Sequence, residues 1–207
     1  MRKHEKSTSD PKNPRLCLEF ANTVAWHSSP TPEERLHTYD ELVRWAEAQN
    51  LLSQSAARKL MGDAAARPAS ARRALQRAVT LREAIYRIFA ASVHGLDPAE
   101  ADIADLNQAI RKLTDGAQIR RTADGYGWDW NVDPHALDSL LGPVALSAAE
   151  LLVSKDLEHV GQCADDRGCG WLFLDTSKNH TRRWCDVRDC GNRARQRRFQ
   201  ERARKPG

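Results

Sequence analysis

"CADDRGCGWLFLDTSKNHTRRWCDVRDCGNR", residues 163–193, holds four of the chain's five cysteines. Their spacing is Cys163-x5-Cys169-x15-Cys185-x4-Cys190, two close pairs separated by a segment long enough for a hairpin. A tight local turn can gather each pair, and the two pairs then supply the four corners of a tetrahedron, the geometry that Zn²⁺ takes with thiolates. Four protein ligands close the coordination sphere, so the spacing points to one structural zinc and away from a catalytic one. Two other readings of the same residues are four buried free thiols and a redox switch built on the cluster.

Between the pairs, Trp171 and Phe173 alternate against Leu172 and Leu174, and "KNH" reads as a turn before "TRRW" returns, which predicts a β-hairpin linking the two half-sites. Asp186 is placed to cap a helix starting near Val187, putting Cys190 in its first turn, where the positive end of the helix dipole favours a thiolate. Knuckle, hairpin and helix in that order predict a treble-clef-like finger. Its few apolar residues could hardly fold it alone, and metal binding would supply the missing stability.

The cluster runs directly into "ARQRRFQERAR". From Lys178 to Gly207 there are 11 Lys/Arg against 3 Asp/Glu, a balance of +8, whereas Met1 to Ser177 carries 21 basic and 25 acidic residues, a balance of −4. One strongly basic end on a mildly acidic chain is the distribution of a polyanion-binding tail. The candidate nucleic-acid contacts are Lys178, Arg182, Arg183, Arg188, Arg193, Arg195, Arg197, Arg198, Arg202 and Arg204, with Ala194, Phe199 and Ala203 left to dock the helix. Arginine's planar fork suits phosphates and guanine edges. Asn192 and Arg193 have two readings, hydrogen bonds to the sulfurs or contacts to nucleic acid.

With 207 residues, 41 % of them apolar and 29 % charged, the chain can build one good-sized domain with a small appendage. Residues 1–14 read as a flexible leader. They contain no apolar run of a secretory signal, and no later stretch is long and apolar enough to span a membrane, so a reducing cytoplasm is expected and disulfides are not. "LCLEFANTV" alternates Leu16, Leu18 and Phe20 against Cys17 and Glu19, which predicts a short strand. Thr38 with Glu41 forms a capping box for a helix over 39–49 burying Leu42, Val43, Trp45 and Ala46, and a second helix follows Ser53. Apolar residues from Leu75 to Val93 recur at three- and four-residue steps along a long helix over 69–94. Another follows Asp97 as cap with Pro98 at its first position. Asp124-Gly125 joins two short strands, 118–122 and 126–130, and the segment 133–154 is helical with a break at Gly142-Pro143.

No catalytic set is visible in the first 155 residues; His94 and His135 sit near element ends, and Cys17 reads as a small hydrophobe. The chain is therefore not expected to be an enzyme.

"CGWLFLDTSKNHTRRWCDVRDCGNRARQRR" resembles the CGNR zinc finger, named for the motif found here as Cys190-Gly191-Asn192-Arg193. "LCLEFANTV" followed by a helical domain is similar to the ABATE domain, which accompanies that finger in stress-induced bacterial transcription regulators. The expected architecture is mainly α with small β elements: a leader (1–14), a helical sensor or effector domain with a short strand and a β-hairpin (15–155), and a Cys₄ finger ending in a basic helix (156–207). The resemblance implies a transcription regulator whose partner is double-stranded DNA. Should the N-terminal domain take a small-molecule effector, Glu19, Asn22 and Trp26 are the polar and aromatic groups for it, and self-association stays open. From other classes, an RNA-binding or translation-associated zinc protein fits the arginine helix, and a treble-clef nuclease would use Asn179-His180 but lacks further catalytic-metal ligands nearby.

Overall fold

The computed structural model describes residues 15–114, 118–122, 125–129 and 136–204, so the leader, Asp124 and His135 lie outside the described residues. Among these residues the helices are α1 (Leu16–Ala21), α2 (Tyr39–Ala48), α3 (Gln54–Ala66), α4 (Pro68–Val93), α5 (Glu100–Thr114), α6 (Leu141–Leu152) and α7 (Asn192–Arg204). Short antiparallel pairs join β1 (Val24–Ala25) to β2 (Glu33–Glu34), β3 (Gln118–Thr122) to β4 (Gly125–Asp129), and β5 (Val160–Gln162) to β6 (Leu172–Leu174). The fold is mainly helical, with α4 as its mast: α1, α2, α3, α5 and α6 all pack on it, and so do β5 and β6.

α2 starts as its sequence requires. Thr38 accepts a hydrogen bond from the Glu41 N–H while Glu41 reaches back to the Thr38 N–H, and Tyr39, Leu42, Val43 and Ala46 go into the core with Trp45 half-buried. Ser53 caps α3 through the Ala56 N–H. α4 buries Ala74, Ala78, Leu81, Ile85, Ile88 and Phe89, whereas Leu75, Val79 and Val93 lie at the core's margin. The β3–β4 pair has Ile119 opposite Trp128 and Arg121 opposite Tyr126.

Three local expectations are corrected. "LCLEFANTV" is not a strand: Leu16–Ala21 is helical, with the Asn22 N–H bonded to the Leu18 carbonyl at 2.9 Å, and the strand comes only at its end, at Val24. Five of the six residues of α1 are buried between α4 and α6, so it needs apolar side chains all round, and the alternation came from its one exposed residue, Glu19. α5 begins at Glu100, two residues after Pro98, because the Ala99 carbonyl takes the first hydrogen bonds, from Asp102 and Ile103. α6 runs unbroken through Gly142-Pro143, since both lie in its first turn, where a missing proline N–H costs no helical bond.

Candidate metal centre and basic helix

The finger opens on β5 and reaches its first cysteine as that strand ends. Cys163 continues the β5–β6 pairing through its N–H to the Trp171 carbonyl (2.9 Å), and the chain turns between them through Asp165 and Gly168 to bring Cys169 back beside it. Here the expected hairpin is corrected: β6 pairs with β5, which precedes the first cysteine, and "TRRW" forms no strand. The Leu172 N–H and carbonyl that a second partner would need are taken by the side chain of Asn22. "TRRW" is instead steered by Asp175, which accepts the N–H groups of Ser177 and Arg182 (2.8 Å each), and by the Arg183 carbonyl, which accepts the Ala164 N–H (2.9 Å). Burial works against Asp175 ionising, yet these donors outweigh it and hold its carboxyl at about 2. Asp186 then accepts the Arg188 N–H (2.6 Å) and caps a single π-helical turn, Val187–Gly191, that carries Cys190 into α7.

The four Sγ atoms all lie within 4.8 Å of one another, with Cys169 to Cys185 at 3.7 Å and Cys185 to Cys190 at 3.6 Å. A tetrahedral Zn²⁺ with Zn–S near 2.3 Å places its sulfurs about 3.8 Å apart, so this donor set fits one zinc ion. The thiols are electrostatically interlocked: hydrogen bonds from Cys169 and Cys185 hold Cys163 far below the ordinary thiol range, those two are pushed up in return, and burial lifts Cys190 to about 12. Replacing the shared protons by a divalent cation relieves that conflict.

Residues 14–155 match the ABATE family, described as "Putative stress-induced transcription regulator". The chain belongs to the ABATE family. Residues 159–203 match the CGNR zinc finger, and no curated protein matches the chain.

The ABATE body and the CGNR finger share one core. Val160, Leu172 and Leu174 of the finger's hairpin belong to the same buried cluster as α1, α4 and α6. Asn22, just after α1, treats β6 as a strand partner: its amide nitrogen donates to the Leu172 carbonyl (2.8 Å) and its oxygen accepts the Leu172 N–H (2.9 Å). The loop after β1 lies against the knuckle, with the His27 N–H on the Cys169 carbonyl and the Ser28 N–H on the Gly168 carbonyl. At Gly168 (φ 88°) a Cβ would sit 2.6 Å from the Ser29 backbone, so only glycine allows this approach. Trp26 lies against the cysteine cluster beneath two guanidinium groups, Arg167 at 5.1 Å and Arg193 at 5.3 Å from its ring centre.

Asn22 and Trp26, named from the sequence as effector-binding candidates, are thus engaged by the finger, while Glu19 is exposed on α1. Exchanging Asn22 for leucine leaves both peptide groups of Leu172 without partners. The expected cost is about 3 kcal/mol, seen as a lower denaturant midpoint at unchanged m-value; an unshifted midpoint would show that the pair contributes nothing.

The basic residues divide into two groups. Arg193 turns inward: its guanidinium lies 3.0 Å from the Cys190 sulfur, 3.5 Å from Asp165, and pairs with Asp189. Arg197 pairs with Asp165 and Asp166. Asp165, whose side chain is fully buried, also binds Arg167 at 3.0 Å; burial opposes its ionisation, and the Arg167 contacts more than offset that. Arg182 donates to the Trp184 and Cys185 carbonyls over the Phe173 ring, and Arg183 lies 5.5 Å from the centre of Trp184. Asn192 bonds the Arg188 carbonyl (2.8 Å) and leaves the sulfurs to Arg193.

Outward stand Lys178, Arg188, Arg195 and Arg198, which form no ion pair among the described residues. Arg202 and Arg204 belong to α7, with side chains outside the described part. Ala194 docks the helix as expected, but Phe199 does not: it is 75 % exposed. Arg193 takes the first of the two places the sequence offered it, on a sulfur, whereas Asp165 and its capture of Arg197 escaped the sequence reading because "DDR" looks like solvated charge until the knuckle folds over it. Asn179-His180 also finds a structural place, His180 stacking on His159 at 3.7 Å with its Nδ1 on the Asp175 carbonyl.

Proposed function

We propose that the chain is a non-catalytic transcription regulator of the reducing cytoplasm. Its metal-built, treble-clef-type finger lays α7 on double-stranded DNA. The observation that carries this reading is the outward set Arg188, on the π-helical turn, and Arg195 and Arg198, on α7, which form no ion pair among the described residues while the inner side of α7 is pinned to the metal site through Arg193 and Arg197. Charges fixed on a rigid scaffold can meet phosphates without the ordering cost of a loose tail. The family description supports the regulatory role, and Lys178, exposed in the turn after β6, adds a further cation to the finger.

The test is a salt series of duplex-DNA affinity with the zinc-loaded protein. Each phosphate contact contributes about −0.9 to the slope of log K against log salt, so replacing Arg188, Arg195 and Arg198 by alanine together should flatten it by about 2.7. A slope unchanged in that triple variant, or structured RNA outcompeting duplex DNA at matched salt, would overturn the proposal.

A further inference from the structure

Phe199 is 75 % exposed in the middle of α7, where a solvent-facing phenyl ring gains nothing for the fold. The helix has two distinct sides. Arg193, Ala194 and Arg197 face the knuckle, Ala194 being buried and the two arginines held by Asp165. Arg195, Arg198 and Phe199, related by steps of three and four residues, share the other side. From Asn192 to Gln200 there is no acidic residue.

A second copy of this face would set arginine against arginine, so the charge argues for a polyanionic occupant that also offers an apolar group at the centre of the contact. Duplex DNA meets that description in its major groove, which admits an α-helix between two phosphate rows and displays the thymine 5-methyl group as its apolar feature. The major groove of A-form RNA is too deep and narrow for a helix, and uracil has no such methyl group. We propose that Phe199 is a specificity residue that packs on the 5-methyl group of a pyrimidine in the major groove while Arg195 and Arg198 hold the flanking phosphates. This rests on the DNA-binding reading above and adds to it a chemical preference.

The experiment measures affinity of the zinc-loaded wild type and of Phe199→Ala for four alternating duplexes: poly(dA-dT), poly(dA-dU), poly(dG-dC) and poly(dG-5-methyl-dC). Burying one methyl group is worth about fourfold in affinity. Wild type should therefore prefer dA-dT over dA-dU, and methylated over plain dG-dC, by about that factor in each pair. Phe199→Ala should bind all four with its salt slope intact and no methyl preference. Wild type indifferent to the methyl group, or Phe199→Ala retaining the preference, overturns the inference and leaves the DNA reading standing. Absence of any salt-dependent duplex binding removes both. Sedimentation of the free protein supplies the remaining outcome: a wild-type dimer that Phe199→Ala converts to monomer would assign the ring to self-association instead.

Discussion

Replacing Cys185 and Cys190 together by serine is expected to abolish zinc binding and unfold the segment that follows β6. The buried set around the site is three cysteines with Trp26 of the body and Trp171, Trp184 and Cys185 packed against them, too little apolar surface to order the finger's loops and helix. Structural zinc supplies roughly 10 to 16 kcal/mol of apparent binding energy, as much as an entire domain's net stability. Elemental analysis should find one zinc per wild-type chain and none in the variant, with loss of the near-ultraviolet dichroism of the finger's tryptophans. The ABATE body should keep most of its helical signal but melt at a lower temperature, because Leu172 and Leu174 are in its core. Equal melting temperatures with and without zinc would refute a structural role for the site.

The second large effect is expected at Arg82, whose side chain is only 2 % exposed although it is charged. From α4 it makes a bidentate pair with Glu34 of β2 (2.7 Å to each oxygen) and donates to Glu83 at 2.9 and 3.0 Å, while Glu83 also receives His27 at 2.9 Å. Burial pushes both carboxyls up, but their partners prevail and hold them below the usual carboxylate range, Arg82 first for Glu34 and His27 first for Glu83. Arg82→Ala leaves the partly buried Glu34 without its cation and Glu83 with His27 alone. The two glutamates are 32 % and 29 % exposed, so the cost falls at the low end of the range for breaking a buried pair, about 3 kcal/mol. The sign with pH follows from the depressed values. The carboxylates' contribution is complete above their unfolded value near 4.5 and is lost as pH falls through the lower folded values. Denaturant titrations at pH 7 and at pH 4 should therefore show the gap between wild type and variant narrowing in acid; a constant gap would mean that Arg82 acts through packing alone.

Much of this was legible because local rules and tertiary demands agree. Thr38 with Glu41, Ser53 before α3, the β3 span and the four cysteines have their partners within a few residues or in a spacing pattern, and each stands where those patterns put it. Legibility failed where a distant segment decides. The "LCLEF" run cannot disclose that α4 and α6 will enclose it, which makes helix the better use of a short apolar stretch. The alternation at Leu172 to Leu174 cannot show that β5, about ten residues upstream, will claim it. A count of arginines cannot separate those that Asp165 captures across some thirty residues from those left to solvent. The contact that welds the finger to the body was the least visible, for Asn22 and Leu172 are separated by 150 positions.

That weld gives the molecule a property neither part would have alone. The Gly168–Ser28 and Cys169–His27 backbone bonds put the wall of the metal site on a loop that α4 also grips, His27 stacking on Tyr86 at 3.5 Å and Ser28 bonding the Tyr86 hydroxyl at 2.8 Å. A shift of α4 that carried this loop with it would move one wall of the metal site, and zinc affinity is where such a shift would be felt. Thermodynamic reciprocity requires the converse in equal measure: loading the ion tightens the grip on α4. The same four backbone and side-chain contacts thus tie the metal site and the helical body into one mechanical unit.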